Sequence, residues 1–451
     1  MFKLIESEYV GPKTKIKLFG ITIASVKKDQ FLTKYFLLGF RVFKKYNLRT
    51  MQKEISSLQD TNANLVNDTK QLKKAMQALN NENYFLKISA IKNSKNPILH
   101  MSAFDIGNVG DNILVFALQK SIAKVLGDVN FINLYLKKLA GEPDIHLFNL
   151  SKGIVIGGGG LFLKDSFPDS VSGWQFPLST EQISMIESPM FMLAVGYNRF
   201  RGQDDFDPVF RENINALVNK CRFVGLRNTG SVTALRAYLD DDLKDKITVH
   251  PCATTIISKL YDLPNIKSEP FIAINCAFDR SEMRFGHKKD EILKALARVI
   301  SKLSERYKIK YYAHMKKDLE TLIYLDEIGI KYHVEELYRP YMIESKILQI
   351  YTSPQLVIGM RGHSLMIPFG CKTPILSLTS HEKQAWFLED AGHPEWGVDV
   401  LESDFEDRLL DTANYILGHR DEVKKEISKA QDRFYDITVK NLKLIAGYMD
   451  L

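Results

Sequence analysis

Cysteine is scarce in this chain of 451 residues, and the four present, Cys221, Cys252, Cys276 and Cys371, form no Cys-x-x-Cys pair. That spacing indicates neither a disulfide framework nor a thiolate zinc site. It fits a reducing cytoplasm, with each thiol read as a small core hydrophobe. Long apolar runs are missing too. No stretch reaches the roughly 18 uncharged apolar residues of a membrane span, and Phe36-Leu37-Leu38-Gly39-Phe40 is closed by Lys34 and Arg41. Glu6 and Glu8 interrupt any secretory apolar region. The first glycine loop, Gly107-x-x-Gly110-Asp111, lacks the dinucleotide pattern, and no Gly-Lys-Ser/Thr follows it, which excludes a P-loop. No His, Asp and Glu stand at metal-ligand spacing, so the expectation is no metal and no cofactor.

Net positive charge is missing from most of the chain. Residues 1–50 hold eleven Lys or Arg against three Asp or Glu, a net of +8, whereas the whole chain carries +7, which leaves −1 for the rest. A nucleic-acid binder would carry its basic stripe on the folded body, so no nucleic-acid partner is expected. What is present is a soluble globular composition, 45% hydrophobic and 25% charged. Its length calls for two domains plus additional segments.

The basic arm, residues 1–49, contains a weak repeat. Thr14-Lys15-Ile16-Lys17-Leu18-Phe19-Gly20-Ile21-Thr22-Ile23 is echoed by Thr33-Lys34-Tyr35-Phe36-Leu37-Leu38-Gly39-Phe40-Arg41-Val42. Two readings stay open: strands of a small hairpin with solvated lysines, or a surface docking on an anionic membrane. In residues 50–90, Leu58, Leu65, Leu72, Leu79 and Leu86 recur every seven residues, with Ile55, Asn62, Thr69, Met76 and Asn83 three before each. Leucine at d with asparagine at two a positions predicts a coiled coil and a homo-oligomer, dimer or trimer.

From residue 95 the pattern alternates short apolar strands with helices. The strands expected first are Pro97–Met101, Gly153–Ile156, Pro189–Gly196, Phe223–Leu226 and Ile247–Val249. A break falls near 262–270. Phe271–Asn275, Lys308–Ala313, Leu356–Ile358 and Pro374–Leu378 then follow, and helices run from Phe405 to Met449. The rhythm predicts an α/β fold: two doubly wound, Rossmann-like domains, 95–265 and 266–400, in a GT-B-like arrangement, with C-terminal helices over 401–451 closing the pair.

Four segments carry chemistry. Gly107-Asn108-Val109-Gly110-Asp111 opens a helix, where glycine admits an anion and Asp111 caps the helix or meets substrate. Gly157-Gly158-Gly159-Gly160 follows a buried strand, with Lys164 nearby; four glycines there favour close approach of a ligand over packing. Gly225-Leu226-Arg227-Asn228-Thr229-Gly230-Ser231 places a cation at a strand end, with Ser231 opening the next helix. Ile358-Gly359-Met360-Arg361-Gly362-His363-Ser364 places a guanidinium and an imidazole two residues apart where a helix begins. An arginine fork suits carboxylate or phosphate, and an imidazole can exchange protons near neutrality. At the carboxyl ends of strands in a parallel sheet, such groups face the ligand crevice.

In this order the segments resemble the polysaccharide pyruvyl transferase family over about residues 97–400, and Glu382-Lys383-x-x-x-Phe387-Leu388 is similar to that family's closing lysine segment. Three positions depart from the family pattern. Gly362 stands where a bulky apolar residue is usual, Asn228 where an acidic one often follows the arginine, and His250-Pro251-Cys252 where an aspartate-proline segment is expected. The resemblance implies transfer of pyruvate from phosphoenolpyruvate, as a ketal, to a sugar of a bacterial surface polysaccharide. It implies His363 and Arg361 as catalytic residues. Arg227, Asn108, Gly110, Asp111, Gly158, Gly159, Gly160, Ser231, Ser364 and Lys383 would bind substrate, and Asn275, Arg280 and Arg284 would meet the sugar or its carrier. Phosphoenolpyruvate would be the co-substrate, a saccharide the acceptor, and the enzyme would work in the cytoplasm, held at the inner membrane face by its basic arm. Two rivals remain: a GT-B glycosyltransferase using a nucleotide sugar, and a non-catalytic scaffold of polysaccharide assembly.

Overall fold

The computed structural model describes residues 5–10, 13–18, 21–28, 32–37, 40–46, 48–104, 107–136, 145–164, 171–264 and 269–449. It divides into two units, 1–87 and 88–451. In the first, β1 (Ile5–Val10), β2 (Lys13–Leu18), β3 (Ile21–Lys28), β4 (Leu32–Leu37) and β5 (Phe40–Tyr46) form an antiparallel meander in chain order. The two copies of the repeat fall on the β2–β3 and β4–β5 pairs. Both pairs shift register at the corresponding place, Ile16/Lys17 and Tyr35/Phe36. The repeat therefore encodes one hairpin twice. The side chains on which membrane docking would depend lie outside the described residues.

The helix Leu48–Asn93 is one 46-residue element, longer than the 50–90 expected. Leu72 and Leu86 of the heptad are 65% and 64% exposed on the single chain. The side chains of Leu58, Leu65 and Leu79 lie outside the described residues. Among the described residues no helix is long and apolar enough to cross a membrane.

The second unit holds two parallel six-stranded sheets. The first is built from β6 (Pro97–Ser102), β7 (Asn130–Tyr135), β8 (Gly153–Phe162), β9 (Met190–Tyr197), β10 (Phe223–Leu226) and β11 (Ile247–Val249), in the order β11-β10-β9-β8-β6-β7. The second is built from β12 (Phe271–Asn275), β13 (Lys308–Ala313), β14 (Tyr332–Glu336), β15 (Leu356–Gly359), β16 (Ile375–Thr379) and β17 (Gly397–Asp399), in the order β14-β13-β12-β15-β16-β17. Every residue of β6, β9, β12, β15 and β16 is buried, because parallel strands are covered by helices on both faces. β7, β14 and β17 are absent from the sequence reading. They lie at sheet edges, are partly exposed and mix polar with apolar residues, so they give no apolar run.

In each sheet the strand order reverses once, between β6 and β8 and between β12 and β15. These are the two switch points at which open α/β sheets bind ligands. The C-terminal helix Arg420–Tyr448 ties the domains together, while Phe405–Gly418 packs on the second domain. Gln431 donates to the Phe369 carbonyl at 2.6 Å and accepts from Ser258 at 2.7 Å, and Asn441 donates to the Val249 carbonyl at 2.9 Å. This is the doubly wound, GT-B-like pair that the alternation of strands and helices predicts.

Candidate active site between the two sheets

A cavity of about 230 Å³ opens where the two switch points meet, lined by the carboxyl ends of strands from both sheets and the helix starts that follow them. On the first domain's wall, Asn108 caps the helix Val109–Leu126. Its Oδ1 accepts from Gly110 N at 3.1 Å, and its Nδ2 donates to Asp111 Oδ2 at 2.8 Å. Gly110 is required by contact: a Cβ there would lie 2.5 Å from His363 Nδ1, on the opposite wall.

The four glycines are not a loop after a strand, as the sequence suggests, but the outer half of β8. Gly158 and Gly159 have φ of +80° and +90°, a backbone that glycine adopts without strain, and the register with β9 shifts just beyond them, between Gly159 and Phe162. Gly157 and Gly158 press on Leu118 and Leu114 of the helix Val109–Leu126, each 2.7 Å from a built Cβ. Gly158 therefore packs rather than binds, which corrects the ligand assignment, while Gly159 and Gly160 line the cavity.

Arg227 follows β10 and is 6% exposed, yet its Nε and Nη2 have no hydrogen-bond partner. Gly196 makes room for it, since a Cβ there would lie 2.3 Å from Nη2. Burial lowers its proton affinity, which Cys252 and Asp111 partly restore. An orphaned, buried guanidinium costs free energy unless an anion meets it.

The second wall is built differently. Arg361 Nε donates to Asp318 Oδ1 and Oδ2 at 3.0 and 2.9 Å, its Nη2 also meets Asp318, and Nη2 lies 2.7 Å from Asp279 Oδ1. Burial works against the Arg361 charge, but the two carboxylates more than offset it and raise its affinity for the proton. Burial would raise the Asp279 carboxyl, but Arg361 and Arg284 hold it well below the usual carboxylate range. Arg284 donates to the Asp279 carbonyl at 2.9 Å and to Ser380 Oγ at 3.0 Å. Arg361 thus faces the cavity already paired, which corrects its reading as a free fork for substrate.

His363 stands in the first turn of the helix Gly362–Gly370, with Nε2 3.8 Å from Cys252 Sγ. Burial, reinforced by Arg227 and Lys383, pulls its imidazole down to about 3, so it is neutral at pH 7. Lys383, partly buried, donates to Asn198 Oδ1 at 2.7 Å. Burial, then Arg284 and Arg227, push its amine well below the usual lysine range. Arg280, with a left-handed φ of 52°, lays its guanidinium over the Phe200 ring at 4.9 Å. Five cationic side chains (Arg227, Arg280, Arg284, Arg361 and Lys383) thus face three carboxylates, Asp111, Asp279 and Asp318. Such a cavity attracts a small ligand carrying two or more negative charges.

Of the residues singled out in the sequence, the structure gathers Asn108, Asp111, Gly159, Gly160, Arg227, Arg280, Arg284, Arg361, His363 and Lys383 around this cavity. Ser231 and Ser364 serve the fold instead. Ser231 Oγ accepts from Tyr197 N at 3.0 Å, and Ser364 Oγ donates to the Arg361 carbonyl at 2.8 Å. Asn275 is internal, donating to the Tyr312 carbonyl at 2.8 Å and accepting from Arg361 N at 3.2 Å, so it meets no sugar. Lys164 turns to Asp207 at 2.9 Å. Asn228 caps the helix Thr229–Arg236, accepting from Ser231 N at 2.8 Å, a task an acidic residue performs equally.

The sequence reading missed Asp279, His314, Asp318, Asn198 and Phe200. The signal available for the first three was position, just past the carboxyl ends of β12 and β13. His314 is buried, with Nε2 bonded to Tyr351 Oη and its backbone N–H donating to Asp318 Oδ2 at 3.0 Å. Burial, Arg361 and His363 hold it well below the usual histidine range.

The family model for polysaccharide pyruvyl transferase matches residues 108–382, a span that holds the cavity's arginines Arg227, Arg280, Arg284 and Arg361 and ends one residue before Lys383. No curated protein matches. Among solved structures, the UDP-GlcNAc 2-epimerase from Neisseria meningitidis bound to UDP-GlcNAc is 9% identical with a TM-score of 0.43, covering 76% of this chain and 99% of that one. The UDP-GlcNAc 2-epimerase from Methanocaldococcus jannaschii is 13% identical with a TM-score of 0.42, covering 71% and 92%. An α,α-trehalose-phosphate synthase (UDP-forming) from Burkholderia vietnamiensis is 9% identical with a TM-score of 0.46, covering 79% and 97%.

Proposed function

Because the chain belongs to the polysaccharide pyruvyl transferase family, we propose that it moves pyruvate from phosphoenolpyruvate onto two hydroxyls of a sugar of a bacterial surface polysaccharide, forming a ketal. One observation carries the donor assignment. Arg227 is buried with two unpartnered nitrogens, in a cavity where cations outnumber carboxylates. Phosphoenolpyruvate, with a carboxylate and a phosphate, supplies the missing negative charge. In the balanced reaction two hydroxyl protons leave the sugar; one ends on the donor's methylene carbon, making a methyl group, and the other departs with phosphate. His363 is the proposed acid–base group. It is neutral while the cavity is cationic, and the entering anion raises its proton affinity, so that it can carry a proton to the methylene. Arg361 acts from behind, holding Asp279 and Asp318. Lys383, Arg280 and Arg284 complete the anion seat.

The test is thermal unfolding of the whole protein with phosphoenolpyruvate. A ligand that binds only the folded state at about a hundred times its Kd adds about 2.7 kcal/mol of stability. A stabilisation that disappears in Arg227→Met is expected. No stabilisation by millimolar donor, with stabilisation by nucleotides or nucleotide sugars, would replace this reading with a glycosyltransferase. We further propose that residues 50–90 pair copies of the chain through their leucine heptad. Sedimentation at one and the same mass for the parent and Leu72→Asp chains would remove that idea. The basic arm, residues 1–49, is proposed to hold the enzyme at anionic lipid near its acceptor. Equal flotation on anionic and neutral vesicles would exclude it.

A further inference from the structure

Gly362 lacks a side chain for no reason that the fold supplies. It is the first residue of the helix Gly362–Gly370, and its φ lies outside the left-handed region. A Cβ built there meets only Lys383 Cε, at 3.9 Å, an ordinary contact. Its neighbours differ. A Cβ on Gly359 would lie 2.5 Å from Ser364 Oγ, and one on Gly110 would strike His363. Glycine also loses more freedom on folding than any other residue. What the absent side chain does provide is space, because Gly362 lines the cavity between Arg361 and His363.

That space has a chemical character. Its near wall is a methylene of Lys383, whose amine is drawn away to Asn198 at 2.7 Å. The wall therefore suits an alkyl group rather than a charged one. His363, the group proposed to protonate the donor's methylene carbon, lines the same cavity as Gly362, and a substituent on that carbon is here assigned to the space beside Gly362.

We propose that Gly362 determines donor size, and that this chain accepts 2-phosphoenol carboxylates bearing an alkyl group on the methylene carbon. The inference rests on the phosphoenolpyruvate reading above. The step balances as before: one hydroxyl proton is added to the substituted carbon, two carbon–oxygen bonds form to the sugar, and the carbon–oxygen bond to phosphate breaks as phosphate leaves with the second proton.

The experiment compares phosphoenolpyruvate with its C3-methyl homologue, phosphoenol-2-oxobutyrate, by titration calorimetry on the whole protein and on Gly362→Leu. The parent should bind both within about threefold. In Gly362→Leu the preference for phosphoenolpyruvate over the homologue should rise about tenfold or more, the usual cost of excluding one carbon from a filled pocket. A parent protein that binds phosphoenolpyruvate but rejects the homologue tenfold overturns the proposal without any variant. An unchanged ratio in Gly362→Leu overturns it as well. Binding of neither compound by the parent defeats the donor reading itself, and this inference with it.

Discussion

The two walls of the cavity hold their arginines in opposite ways. On the first domain's side Arg227 is buried with two nitrogens unpaired. On the second domain's side Arg361 is equally enclosed but grips Asp318 and Asp279. Both follow a strand of a parallel sheet, and both read in sequence as cations for an anion. The difference separates two tasks. A paired guanidinium fixes geometry and adds little field for a ligand. An unpaired one destabilises the empty cavity and rewards whatever anion fills it. The first wall supplies the attraction and the second supplies the frame, and His363 stands between them.

Three measurements can break or sharpen that contrast. The largest effect is expected from Arg361→Met. Removing one partner of a buried ion pair leaves Asp318 without its cation and Asp279 with Arg284 alone, and should cost about 3–5 kcal/mol in denaturant unfolding. A loss below 1 kcal/mol would mean that the pairing does not frame the site. Next comes acid. His100 and His250 are lowered to about 4 and His363 to about 3, His100 and His250 by burial, His363 by burial with Arg227 and Lys383. The unfolded chain therefore takes up protons below about pH 6.5 that the folded one refuses. Stability should fall between pH 6.5 and 5, by roughly 1–2 kcal/mol per histidine. Below pH 5, as the fall continues toward the folded-state values, Arg227→Met should flatten it by releasing His363, and a slope there identical to the parent's would show that Arg227 does not act on the imidazole. The smallest effect is expected from Arg227→Met in the empty protein at pH 7. Stability should stay within about 1 kcal/mol of the parent or rise, because an orphaned charge is removed. A marked loss would place Arg227 with Arg361 as a framing residue.

Much of the site was legible in the sequence, and the limits are instructive. Arg227, His363, Lys383, Asn108 and Asp111 were visible because each stands beside a turn or helix start that follows an apolar strand or a glycine loop. Asp318 and His314 were not, since nothing local marks a carboxylate as the partner, or an imidazole as the neighbour, of an arginine some forty residues away. Ser231 and Ser364 carry the right chemistry at the right offsets, yet both hydroxyls are consumed by backbone groups of their own walls. Gly158 shows the same limit. A run of four glycines signals close approach but does not say to what, and half of this run meets leucines of the helix Val109–Leu126.

Taken alone, the sequence determined the alternation of buried strands with amphipathic helices, the two domains, the repeat in the basic arm and the heptad helix. These depend on the spacing of apolar residues, which the chain carries locally. Only the tertiary structure decided which cation is spent and which is free. That depends on which carboxylates the second sheet brings within 3 Å of a guanidinium, and on the room left at Gly196 and Gly362 by residues far away in the chain. Charge compensation and empty space are properties of neighbours in three dimensions.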